Sequence, residues 1–139
     1  MLSSSSPLLR QMDLSFIKIS EQEGGYAFVD LQRNPVNSMN LDFWEQLTAV
    51  LDSLEKNPRI RAMIIRSALE KNVFTAGNDL LELYAPKTSK ERYTKFWVVQ
   101  NKFLARLMIS PLLTIAAVKG ACPAVLQINS GRMLYCHVL

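Results

Sequence analysis

The sequence predicts an α/β layered domain, with elements in the order β-β-α-β-α-α-β. Three observations carry that prediction. Short apolar, β-branched runs alternate with two long stretches of helical periodicity. The 139 residues and 15.8 kDa suffice for one domain and not for two. Hydrophobic residues make up 49% and charged residues 20%, the balance of a chain that buries a core rather than one that stays disordered.

Residues 1–12 are Ser-rich with a single arginine and read as a flexible start or the remnant of a targeting segment. Leu14–Ile19 alternates loosely, as a strand does. Glu23-Gly24-Gly25 is a turn signal and Tyr26–Leu31 a second strand, so the two form a hairpin. Asn34-Pro35 breaks the pattern. Leu41–Lys56 is a helix, because Phe43, Trp44, Leu47, Val50, Leu51 and Leu54 fall on one face. Asn40 caps it and Asn57-Pro58 ends it.

Met63–Ile65, extended by Arg66 and Ser67, is a short buried strand. Val73–Leu80 is a tight turn opening a short helix that runs to Tyr84, before Pro86. Ser89–Met108 is the second long helix, with Tyr93, Phe96, Trp97, Phe103, Leu104 and Leu107 on or near one face. Leu112–Val118 is an apolar central strand, and Lys119–Ala124 a further turn.

Charge and composition exclude several functions. Every Asp and Glu lies at or before Glu91, so the first 91 residues carry −2 and the remainder +6. The six basic residues of that remainder are dispersed, without the clustering of a nucleic-acid footprint, so no nucleic-acid partner is expected. No uninterrupted apolar run is long enough to span a membrane. Two cysteines, Cys122 and Cys136, make no disulfide framework, and the single histidine, His137, anchors neither a zinc site nor a catalytic triad. No metal is expected.

Three segments carry the chemistry jointly: Asn34-Pro35-Val36-Asn37-Ser38, Val73–Leu80 and Val118–Ala124. Their order and spacing resemble the N-terminal half of the crotonase superfamily, the enoyl-CoA hydratases and isomerases. The similarity runs from about Leu14 to Ala124 and is greatest to the mitochondrial-type Δ3,Δ2-enoyl-CoA isomerases. Phe74-Thr75-Ala76-Gly77-Asn78-Asp79-Leu80 resembles that family's F-[ST]-A-G-x-D-L turn. Asn34–Ser38 is similar to its NPPVNS segment with one residue missing, and Gly120–Ala124 to its GACPA stretch.

The resemblance implies an N-terminal portion of a crotonase-like fold, built of β-β-α spiral repeats and shortened at its C-terminal side. By that pattern residues 13–124 are the domain piece and 125–139 a divergent tail. It implies that the Asn78 backbone N–H stabilises the oxyanion formed when a proton leaves the carbon α to a thioester. Such a donor is worth a few kcal/mol. The second donor position falls on Val125, where relatives carry the first glycine of a Gly-Gly-Cys run. Coenzyme A would lie along Val36, Asn37, Ser38 and Ala76, with Gly77, Asp79 and Leu80 completing the turn. Lys71 is a nearby candidate for a phosphate. Asp79, as the residue opening a helix, reads first as a cap.

No cofactor is implied beyond the coenzyme A that an acyl- or enoyl-CoA substrate carries. The isomerase carboxylate would lie further downstream, and a hydratase glutamate would fall where this chain has Ile128. Glu82 and Glu91 are the acids left without a place at the site. Two roles follow: an isomerase relative inactive as this chain, with a hydratase relative as alternative, or a non-catalytic fragment that binds acyl-CoA or associates with full-length, trimer-forming subunits. The family suggests mitochondria, with the cytosol as alternative. Loss of later elements predicts an unpaired sheet edge and exposed apolar faces, and with them poor folding or association.

Overall fold

The computed structural model describes residues 14–123 and the strand Met133–Val138. Its elements are β1 (Ile17–Gln22), β2 (Tyr26–Leu31), α1 (Leu41–Glu55), β3 (Ala62–Ser67), α2 (Leu80–Leu83), α3 (Lys90–Ile109), β4 (Leu113–Lys119) and β5 (Met133–Val138). They form one five-stranded sheet in sequence order. β1 and β2 are an antiparallel hairpin with Gln22 opposite Tyr26, and β2, β3, β4 and β5 run parallel.

Alternation sorts the strands into two faces. Ala27, Val29 and Leu31 of β2, Met63 and Ile65 of β3, and Ala116 and Val118 of β4 are buried in one cluster with α1 and α3. α1 supplies Phe43, Trp44, Leu47, Val50, Leu51 and Leu54, the face its periodicity foretold, and Asn40 Oδ1 accepts from Phe43 N at 2.9 Å. α3 adds Phe96, Phe103 and Leu107, and the Trp44 and Phe103 rings lie 5.7 Å apart. On the other face Tyr26, Phe28, Ile64 and Ile115 are half-buried and Leu113 is exposed. The Arg66 guanidinium stacks on the Phe28 ring there and pairs with Asp30.

Three expectations change. β1 begins at Ile17 rather than Leu14 and extends to Gln22, because the hairpin ladder continues through polar residues of an edge strand that apolar alternation does not mark. Tyr93 is in phase with the buried stripe of α3 but exposed, because it lies in the first turn of the helix, ahead of Phe96, where burial begins. The edge of the sheet lies one strand further out than the sequence marks: β5 adds to β4 in parallel, with Thr114 opposite Met133 and Lys119 opposite Val138, and is the last strand in the order. The residues outside the described set include 1–12 and Val125.

Candidate functional site

Parallel strands place their following loops at one end of the sheet, where α/β proteins bind ligands. Residues 32–39 follow β2, 68–79 follow β3, and Gly120–Pro123 follow β4, so the three segments singled out by sequence converge at the carboxyl ends. Two isolated parallel bridges join them, Met39 with Asn78 and Val73 with Ala121. Phe74 N donates to Ala121 O at 2.9 Å and Ala121 N to Asn72 O at 3.2 Å. Gly120 makes that approach possible. Its φ is +66°, and a Cβ there would lie 2.0 Å from Asn72 O.

The first two segments are locked together by polar bonds. Asn37 is fully buried at φ +52°. Its Oδ1 accepts from Arg33 N at 2.8 Å, and its Nδ2 donates to Phe74 O at 2.9 Å and Ser67 Oγ at 3.1 Å. Thr75, also buried, donates through Oγ1 to Asn37 O at 2.7 Å and accepts from Gly77 N at 3.0 Å. Ala76 N donates to Val36 O at 2.8 Å.

These bonds orient one peptide group. Gly77 O accepts from Met39 N at 2.8 Å, and Asp79 N donates to Met39 O at 2.9 Å. In a trans peptide the N–H points opposite to the C=O. The Asn78 N–H therefore points away from Met39. Its neighbours Ala76, Gly77 and Asp79 all have acceptors, but among the described residues the Asn78 N–H has none. Gly77 adopts φ +95°, a conformation that favours glycine and sets this direction. The Asn78 side chain turns to α3, its Nδ2 donating to Gln100 Oε1 at 3.2 Å, while its Oδ1 is buried without a partner among the described residues.

The acids around this turn are committed. Asp79 caps α2, its Oδ1 accepting from Leu81 N at 3.0 Å, and its Oδ2 pairs with Arg33 Nη1 at 2.9 Å. Glu82 is 4% exposed. Its Oε1 accepts from Leu41 N at 2.9 Å and from Arg92 Nη2 at 2.6 Å, and its Oε2 from Arg92 Nε at 2.9 Å. Burial alone would raise its pKa, but the Arg92 and Leu41 bonds outweigh burial and hold the carboxyl below its ordinary range. Glu91 is exposed in the first turn of α3. Burial pushes the half-buried Cys122 thiol up, which keeps it protonated and weakly nucleophilic. Among the described residues no cluster of His, Cys, Asp and Glu could hold a metal.

The expected residues thus occupy distinct positions. Val36 and Ser38 are half-buried and Ala76 is exposed beside them, while Lys71 is exposed in the preceding loop. Asn37 lies within the cluster, but its amide is consumed internally. Leu80 is 76% exposed. Val125 lies outside the described residues. The sequence reading included Thr75 in the turn motif without giving it a role, and passed over Arg33 and Gln100. Gln100 had a signal: it is a polar residue in phase with Phe96, Phe103 and Leu107.

The model of the enoyl-CoA hydratase/isomerase family matches residues 21–125. The chain is 35% identical over 104 residues to the mitochondrial enoyl-CoA delta isomerase 1 of Rattus norvegicus, covering 75% of this chain and 35% of that one. It is 31% identical over 108 residues to the fatty acid oxidation complex subunit alpha of Psychrobacter cryohalolentis, covering 76% of this chain and 15% of that one. Its fold superposes on the crystal structure of human mitochondrial delta3-delta2-enoyl-CoA isomerase with a TM-score of 0.73 at 33% identity, covering 78% of this chain and 42% of that one. The chain spans about a third of the length of the curated isomerases it matches.

Proposed function

Because this chain belongs to the enoyl-CoA hydratase/isomerase family, we propose that it is an enoyl-CoA isomerase relative that holds an acyl- or enoyl-CoA thioester and polarises its carbonyl without itself moving a proton. The observation that carries this reading is the Asn78 N–H, fixed away from Met39 and lacking an acceptor among the described residues. An N–H held in that way stabilises the negative charge that grows on a thioester oxygen as an α-proton leaves. The isomerase branch is favoured by the identity to the rat isomerase and by the Cys122-Pro123 pair in the third segment. Coenzyme A runs along Val36, Ser38 and the exposed Ala76. We assign the chain to mitochondria on the same basis, and fractionation of cells expressing it tests that location.

Proton transfer needs a base of suitable reach and pKa. The two carboxylates nearest the turn fail that requirement. Asp79 is paired with Arg33, and Glu82 with Arg92 and the Leu41 N–H. Neither carboxylate is therefore assigned as the base for conversion of a 3-enoyl-CoA to its trans-2 isomer, the fatty acid β-oxidation step of this branch.

Calorimetric titration with butyryl-CoA and with S-butyl-CoA, a thioether lacking the carbonyl, tests the reading. Preference for the thioester, without turnover of 3-hexenoyl-CoA, is expected. Equal affinity for the two, or no binding of either, removes it. A second reading, association with subunits of the same family, is favoured by the exposed Leu80, Leu81 and Tyr84. Co-purification with a full-length isomerase subunit supports it, and its absence rejects it.

A further inference from the structure

We propose that Gln100 is a positioning residue for the Asn78 N–H, acting through the Asn78 side chain and setting how well the site recognises a thioester carbonyl; this rests on the function proposed above. The turn is pinned unequally. Both peptides flanking Asn78 are bonded to Met39, on the side of residues 34–39. The side facing α3 is held at Asn78 by the Asn78 Nδ2 donation to Gln100 Oε1 alone, among the described residues. The Ala76 and Gly77 N–H groups are held on the Met39 side as well, by Val36 O and Thr75 Oγ1. A contact from the opposite side sets the remaining tilt of the N–H.

The position of Gln100 supports this role. It lies in the middle of α3, the longest helix described, and is 6% exposed. Phe96 and Phe103, both in the core, flank it on the same helical stripe and hold its backbone rigidly. A buried amide on an apolar stripe is costly unless it is bonded. Here its bond goes to the residue whose backbone donor faces the ligand. The link survives if both amides turn over together, since Gln100 Nε2 then donates to Asn78 Oδ1. Packing alone would be served by methionine or leucine, so the amide is the informative feature.

The test compares affinities of the full chain for butyryl-CoA and S-butyl-CoA. Gln100→Met keeps the bulk and removes the hydrogen bond. The thioester preference is expected to fall at least threefold, with S-butyl-CoA affinity unchanged. Asn78→Ala removes the same link from the turn's side and retains the backbone N–H, so it should reproduce the loss. The double variant should show no further decrease. A wild-type preference that both single variants retain overturns the role of Gln100 while leaving the proposed function standing. A wild-type chain without thioester preference ends both. Should Gln100→Met lower affinity for thioether and thioester equally, the residue is only a packing element.

Discussion

The core beneath the sheet and the cluster of loops at its carboxyl ends are held by different forces. Around Trp44, Phe43, Phe96 and Phe103 the structure relies on apolar burial, which tolerates changes of direction but not of volume. Around Asn37, Thr75 and the Met39 backbone it relies on oriented hydrogen bonds, although the Met39 and Phe74 side chains themselves reach into the core. A core supplies stability, whereas oriented bonds aim an N–H at a particular point. The two regions should therefore separate under mutation.

The largest effect tests the core. Trp44 is fully buried and touches the Phe103 ring, so Trp44→Ala should cost about 3–5 kcal/mol in urea unfolding. In the fraction that remains folded at low temperature, preference for butyryl-CoA over S-butyl-CoA should persist. Loss of that preference would show that the loop cluster depends on core volume, and the separation would fail.

Asn37→Ala tests the other region. It strips acceptors and donors from Arg33 N, Ser67 Oγ and Phe74 O, and it places alanine at φ +52°. The expected cost is about 2–3 kcal/mol, smaller than that of Trp44→Ala. The thioester preference should nevertheless vanish, because residues 34–39 no longer hold Met39 against Gly77. A variant that is destabilised but fully selective would place the aiming elsewhere.

The two regions were also unequally legible in the sequence. Helical spacing and the Asn40 cap defined α1 to within a residue, since apolar periodicity is the same quantity that burial selects. The three segments of the site were identified, and strand order explains their convergence. The bonds among them were not legible. Arg33 and Asp79 are far apart in sequence, and no periodicity links such partners. β5 was also missed: its strand lies in a stretch without family resemblance, and pairing to β4 depends on the edge β4 offers rather than on a pattern within residues 133–138.

Glu82 joins the two regions and gives the smallest effect. It connects the first residue of α1 to Arg92 of α3 from within α2. Its folded-state pKa lies below its ordinary value of 4.5, because the bonds from Arg92 and Leu41 outweigh burial. A depressed carboxyl contributes stability that is present above the unfolded value and lost as pH falls through the folded one. The urea midpoint should thus be insensitive to this group from pH 7 to about 5 and decline below about 4.5. Glu82→Gln should lie below the wild type at neutral pH and converge with it in acid. Because the Arg92 side chain is 42% exposed, solvent screens the pair and the gap should be modest. Thioester preference at pH 7 should be unchanged, since Met39 and not Glu82 holds the Gly77 carbonyl. A gap that persists unchanged at pH 3 would mean that Glu82 joins the regions by shape rather than by charge, and a loss of preference would mean that the aim of the Asn78 N–H extends through α2 to the core.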